Sequence, residues 1–113
     1  MSKNSVRAIE MQSLDASTLV GVALAPINPL GLEEACFLLR ITNISKNQVN
    51  ISYDGITMHD TIPAGGTIIV ATLIEATNYA ANISKGTVVY VSDTFGAANV
   101  GYVYLTGYYH NIS

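Results

Sequence analysis

Between residues 48 and 53 the chain alternates without a fault: Val49, Ile51 and Tyr53 are apolar or aromatic, and Gln48, Asn50 and Ser52 between them are polar. A period of two sends the first set to one face and the second to the other, so the segment predicts a strand with one face buried. Asp54-Gly55 follows at once, a dipeptide that suits a tight turn with positive φ at the glycine. Upstream, residues 35–44 (ACFLLRITNI) put Phe37, Leu39 and Ile41 on one side. Ser45-Lys46-Asn47 is a short polar turn, so 35–44 and 48–53 predict a hairpin.

The rest of the chain continues in the same manner. Residues 56–62 (ITMHDTI) make a weaker strand closed by Pro63-Ala64-Gly65-Gly66, and 67–74 (TIIVATLI) are apolar on both faces, the mark of a central strand. Residues 75–83 break the pattern and predict a helical turn or a long loop. Towards the amino terminus, 6–12 and 18–25 predict strands, and Asn28-Pro29 to Glu34 a turn or one helical turn. About eight short strands, spaced by about 8–12 residues and punctuated by Gly and Pro, predict an all-β fold. The expected architecture is one antiparallel β-sandwich over 1–113, jelly-roll-like, with 1–15 as an N-terminal arm or an edge strand.

The segments 87–92 (TVVYVS) and 100–109 (VGYVYLTGYY) predict a second hairpin, joined by 93–99. With Ser92 opposite Val100, Tyr90 falls opposite Tyr102 and Val88 opposite Tyr104. One face then shows Tyr90, Tyr102, Tyr104 and Tyr108, and the other Val89, Val91, Val103 and Leu105. The aliphatic face is an ordinary core. The four tyrosines either line a second layer or stand in water as cross-strand pairs, or they form an interface, since tyrosine joins a broad apolar surface to a hydrogen-bonding tip. An aromatic platform for sugar is the third possibility. Residues 86–113 contain a single charged side chain, Asp93.

Composition sharpens the choice. Half of the residues are hydrophobic and 12% are charged, against about 25% charged in a typical soluble domain. No apolar run approaches the roughly 20 residues of a membrane helix, so the expectation is no membrane, but surface covered by other protein: a homo-oligomer or an assembly component. The net charge is −3, and Lys3, Arg7, Arg40, Lys46 and Lys85 are scattered, which offers no stripe for phosphates and predicts no nucleic-acid partner. The segment MSKNSVRAIEMQS lacks the apolar stretch of a signal peptide, which points to synthesis in a cytoplasm. Cys36 is the single cysteine, so no disulfide framework is expected. Asn-Ile-Ser triplets at Asn43, Asn50, Asn82 and Asn111 read as turn and strand-edge chemistry.

Candidate chemistry is thin. His59 and Asp60, with Asp54 nearby, are the one His–carboxylate group, and alternation sends His59 and Asp60 to opposite faces, too few convergent ligands for a metal. His110 has no carboxylate near it in sequence. No serine occupies a Gly-x-Ser-x-Gly elbow, and Cys36 in an apolar strand predicts an inert buried thiol. Glu33-Glu34 reads as a solvated helix start. The sequence therefore predicts no enzyme, and no catalytic, cofactor-binding or metal-binding residue.

Three stretches, ITNISKNQVNISYDGITMHDTIPAGGTIIV (41–70), SKGTVVYVS (84–92) and GYVYLTGYY (101–109), share an order of motifs. A strand ends in Ser-aromatic-Asp-Gly, a Pro-Ala-Gly turn follows, then a Lys-Gly-Thr strand and a closing aromatic strand. In this the chain resembles small β-sandwich virion proteins of tailed bacteriophages, over about the last 70 residues. The resemblance implies a virion component made in the host cytoplasm: capsid decoration, a head–tail neck part or a fibre-attachment module. Its partners would be other virion proteins (capsid, portal, neck or fibre), and it carries over no catalytic residues. The competing expectation is a carbohydrate- or receptor-binding module using the tyrosines with Asp54, Asp60 and Asp93. The absence of tryptophan tilts the reading to the first.

Overall fold

The computed structural model describes residues 4–71, 83–94 and 98–112. The architecture is all-β, as expected: two antiparallel sheets face each other across one apolar core. In chain order the strands are β1 (Asn4–Ala8), β2 (Gln12–Asp15), β3 (Ala25–Pro26), β4 (Leu38–Ser45), β5 (Val49–Ser52), β6 (Asp60–Ile62), β7 (Thr67–Ala71), β8 (Tyr90–Asp93) and β9 (Gly101–Ile112). A 3₁₀ turn, Ala16–Thr18, follows β2; Asp15 caps it by accepting from the Ser17 N–H at 3.0 Å.

The five-stranded sheet runs β1-β9-β4-β7, with β2 also on β9, and the four-stranded sheet runs β3-β8-β5-β6. With β1 and β2 counted as one interrupted strand, this is the order of a jelly roll. Residues 4–15 thus add two strand pieces along β9. Among the described residues no helix is long and apolar enough to cross a membrane.

The jelly roll corrects both predicted hairpins. β4 lies between β9 and β7, whereas β5 lies in the other sheet between β8 and β6. Likewise β8 and β9 belong to opposite sheets, so Tyr90 faces Pro26 and Ser52, not Tyr102, whose partners are Ile44 and Asp15. The short polar links are corners that carry the chain from one sheet to the other. What holds them is a set of asparagines. Asn99 Oδ1 accepts from the N–H groups of Lys46 (2.9 Å) and Asn47 (3.2 Å), satisfying the backbone of the β4–β5 corner without a hairpin ladder. Buried Asn43, on the inward side of β4, donates to the carbonyls of Asn47, Ile62 and Pro63.

Other differences are smaller. Residues 18–24 form no strand, only Ala25–Pro26 pairing with β8, and Glu33-Glu34 starts no helix but sits exposed in a bend. The strand predicted over 67–74 ends its described part at Ala71 and is the last of its sheet, not central; the break predicted over 75–83 lies outside the described residues except for Ile83.

The core is built by period two. Leu39 and Ile41 from β4, Val103 and Leu105 from β9, Val49 and Ile51 from β5, Val91 from β8 and Ile62 from β6 are all buried. Each such side chain contributes roughly 1.5–3 kcal/mol relative to exposure.

Candidate functional site

Alternation that sends Val103 and Leu105 inward sends Tyr102, Tyr104, Thr106 and Tyr108 to the outer face of the five-stranded sheet. Pairing places Ile44 beside Tyr102, Thr42 beside Tyr104, Arg40 beside Thr106 and Leu38 beside Tyr108. On the far side of β4, Thr67 and Ile69 extend the same rows, and on the far side of β9 Val6 stands opposite His110. The result is one continuous surface made by the two central strands and their flanks.

Beside exposed Arg40 and Thr67, this surface presents several large apolar side chains to water. Val6 is 60% exposed, Ile69 55%, Ile44 54% and Tyr102 45%. The rings of Tyr102 and Tyr104 stack with centroids 6.0 Å apart, and Phe37 stacks on His110 at 4.6 Å. Arg40 is the charged side chain on these central strands, and its guanidinium carbon lies 5.8 Å from the centre of the Tyr108 ring, a cation–π contact. At the rim, Asp15 is engaged by Ser17, whose hydroxyl and N–H hold its carboxyl below the ordinary value. Between Met11, Arg40, Thr42, Thr67, Tyr104 and Thr106 the surface sinks into an open depression of about 430 Å³. The Thr42 and Thr67 hydroxyls bond each other across it at 3.1 Å.

Of the four tyrosines predicted to share a face, the structure therefore brings together Tyr102, Tyr104 and Tyr108. Tyr90 is on the outer side of the other sheet, its ring close over Gly55. Sequence reasoning missed the contributions of Ile44, Ile69, Val6 and Met11. The signal is present in 67–74: its apolar residues on both faces predict a central strand, whereas Ile69 belongs to this open surface.

The loop between β5 and β6 gathers the remaining polar groups. Asp54 Oδ1 accepts from the N–H groups of Thr57 and Ile56, both at 2.8 Å, and from the Ser52 hydroxyl at 3.0 Å. These bonds, the two backbone ones foremost, with the nearby His59, lower its carboxyl to about 2. The predicted Gly55 conformation is found, with φ of 78°. His59 Nδ1 accepts the Tyr53 N–H at 3.1 Å, and the Tyr53 hydroxyl donates to Asp60 at 2.6 Å. Burial, then the hydrogen bond to Asp60, pushes the Tyr53 phenol up. So His59 and Asp60, expected on opposite faces, both gather around Tyr53. The Ser52 hydroxyl donates to Asp54, so the arrangement ties a turn.

Among the described residues no three His, Cys, Asp or Glu side chains converge as metal ligands. Cys36 is buried, which raises its thiol with help from the Glu34 charge. Asp93, expected in a loop as a carboxylate for sugar, is 1% exposed inside the sandwich. No protein-family model matches the chain, and no curated protein matches it.

Proposed function

We propose that this chain is a non-enzymatic structural component of a virus particle, of the tailed-phage capsid-decoration or head–tail neck type, and that it docks on other virion proteins through the outer face of its five-stranded sheet. The observation that carries the docking is the exposure of Tyr102, Ile44, Ile69 and Val6 on one sheet face whose central strands hold one charge, Arg40. An open sheet face in a sandwich is ordinarily polar, because alternation lets it be. An apolar one is covered in use. At about 3.3 Å per residue and about 4.8 Å between strands, β1, β9, β4 and β7 offer a footprint of several hundred Å², the order of one partner's share of a stable interface, about 800 Å².

The virion assignment draws on the motif order across 41–109 and on the jelly-roll order of the strands. Burial of Asp93, the engagement of Asp60 by Tyr53 and that of Asp54 by the Ile56 and Thr57 N–H groups weaken the competing sugar-binding reading, since all three of its carboxylates are occupied. The test is to band virus particles produced with the gene present and analyse them by mass spectrometry. The chain is expected at a fixed ratio to the capsid protein; its absence from intact particles would overturn the assignment.

A further inference from the structure

Arg40 limits what can lie on the docking face. It stands mid-strand between Thr106 and Ile69, beside the depression floored by Thr42 and Thr67, and no carboxylate among the described residues is paired with it; the one ion pair described is His59–Asp54, 3.8 Å apart. A second copy meeting this face by the same face, across a two-fold axis near its centre, would bring two Arg40 side chains together under apolar cover, and like charges there are costly. The surface that fits instead carries a carboxylate beside an apolar projection.

The chain has such a surface. Leu30 is 98% exposed, the most open large apolar side chain described, and it follows Pro29 and precedes exposed Glu33 and Glu34. Leu30 and Glu33 border one hollow with Glu10 and Gln12, beside β2 and so on the flank of the sandwich, not on its sheet face. The loop is held from beneath: Gly31 N–H donates to the Asn28 carbonyl at 2.8 Å, Leu32 N–H to Thr87 at 3.0 Å, and Gly86 N–H to Leu32 at 2.9 Å. Asn28, itself buried, donates to the Thr87 carbonyl and accepts from the Val89 N–H at 2.7 Å. A projection fixed in this way loses little freedom on docking.

We infer that the chain assembles head to tail: Leu30 of one copy enters the depression beside Tyr104 and Met11 of the next, and Glu33 pairs with Arg40. Because knob and face are different surfaces, each copy uses both, and the contact propagates into a ring or a filament. This rests on the docking reading of the sheet face and names an occupant for it.

Size-exclusion chromatography with light scattering on the purified full chain, up to hundreds of micromolar, tests it. The wild type should exceed monomer mass, and Arg40→Glu and Glu33→Arg should each run as monomers with unchanged melting temperatures. Mixing those two variants should restore assembly, because each then offers the charge the other lacks. Leu30→Asp, at a position 98% exposed, should also give monomers with an unchanged melting temperature. A monomeric wild type, assembly indifferent to Arg40→Glu or Leu30→Asp, or a mixture that stays monomeric would each overturn the inference. A wild type that is monomeric alone yet enters particles would defeat head-to-tail assembly and leave the docking reading standing.

Discussion

The side-chain amide of Asn47 donates to the carboxylate of Asp93 at 3.0 Å, tying the corner that leaves one sheet to the end of a strand in the other. Around this bond the interior is polar: Asn43, Asp93 and Asn99 are all buried. Groups there are stabilising only while their partners remain, since a buried donor or acceptor left unmade costs about 1–3 kcal/mol.

Asn43→Ala should therefore destabilise the domain by about 2 kcal/mol or more, because the carbonyls of Asn47, Ile62 and Pro63 lose a donor and Ser45 N–H loses its acceptor. Urea denaturation measures it. A change below about 0.5 kcal/mol, the size of an ordinary surface substitution, would mean the cluster does not hold the corner.

Two glycines should respond to alanine in a fixed order. Gly101 has φ of 108°, and a Cβ there would run into the backbone of Ile44 and Ser45. Gly55 has φ of 78°, and its Cβ would meet the Tyr90 ring first, at 3.0 Å. The strain in φ is shared, about 1–3 kcal/mol, but backbone cannot yield as a ring can. Gly101→Ala should cost about 3 kcal/mol or more and Gly55→Ala about 1–2 kcal/mol; thermal unfolding in the reverse order would contradict the placement of the β8–β9 corner.

Much of the fold was legible in period two. Val49 and Ile51, Leu39 and Ile41, Val103 and Leu105 were all assigned to buried faces and are buried. Alternation states which face of a strand is apolar, but not which sheet the strand joins. Short polar links then suggest hairpins, and in a jelly roll the same links are corners. The signal that could have separated the two is Asn43, which continues the inward row of Leu39 and Ile41 and so predicts a buried amide in need of partners. The docking face was half legible for the same reason: Tyr102, Tyr104 and Tyr108 share a strand, whereas Ile44, Ile69 and Val6 join them only through the sheet order.

The β5–β6 loop should loosen in acid, within a defined window. Asp54 has its folded-state value lowered to about 2, so the unfolded chain binds the proton more readily. Stability from its bonds is complete above the ordinary value of 3.8 and is lost as pH falls through about 2. The amide resonances of Ile56 and Thr57 should titrate with a midpoint near 2; a midpoint at the ordinary carboxylate value would show that these bonds do not form.

That the outer face of the five-stranded sheet meets the partner is tested most directly by incorporation of Tyr102→Asp into particles, compared with Ile56→Asp. Ile56 is 84% exposed on the β5–β6 loop, away from the face, and serves as the control for an added charge. Ile69→Asp, at a site 55% exposed on the face, guards against a folding defect peculiar to Tyr102. With melting temperatures held, Tyr102→Asp and Ile69→Asp should be lost from purified particles while Ile56→Asp enters at the wild-type level; equal incorporation of all three would contradict the docking face.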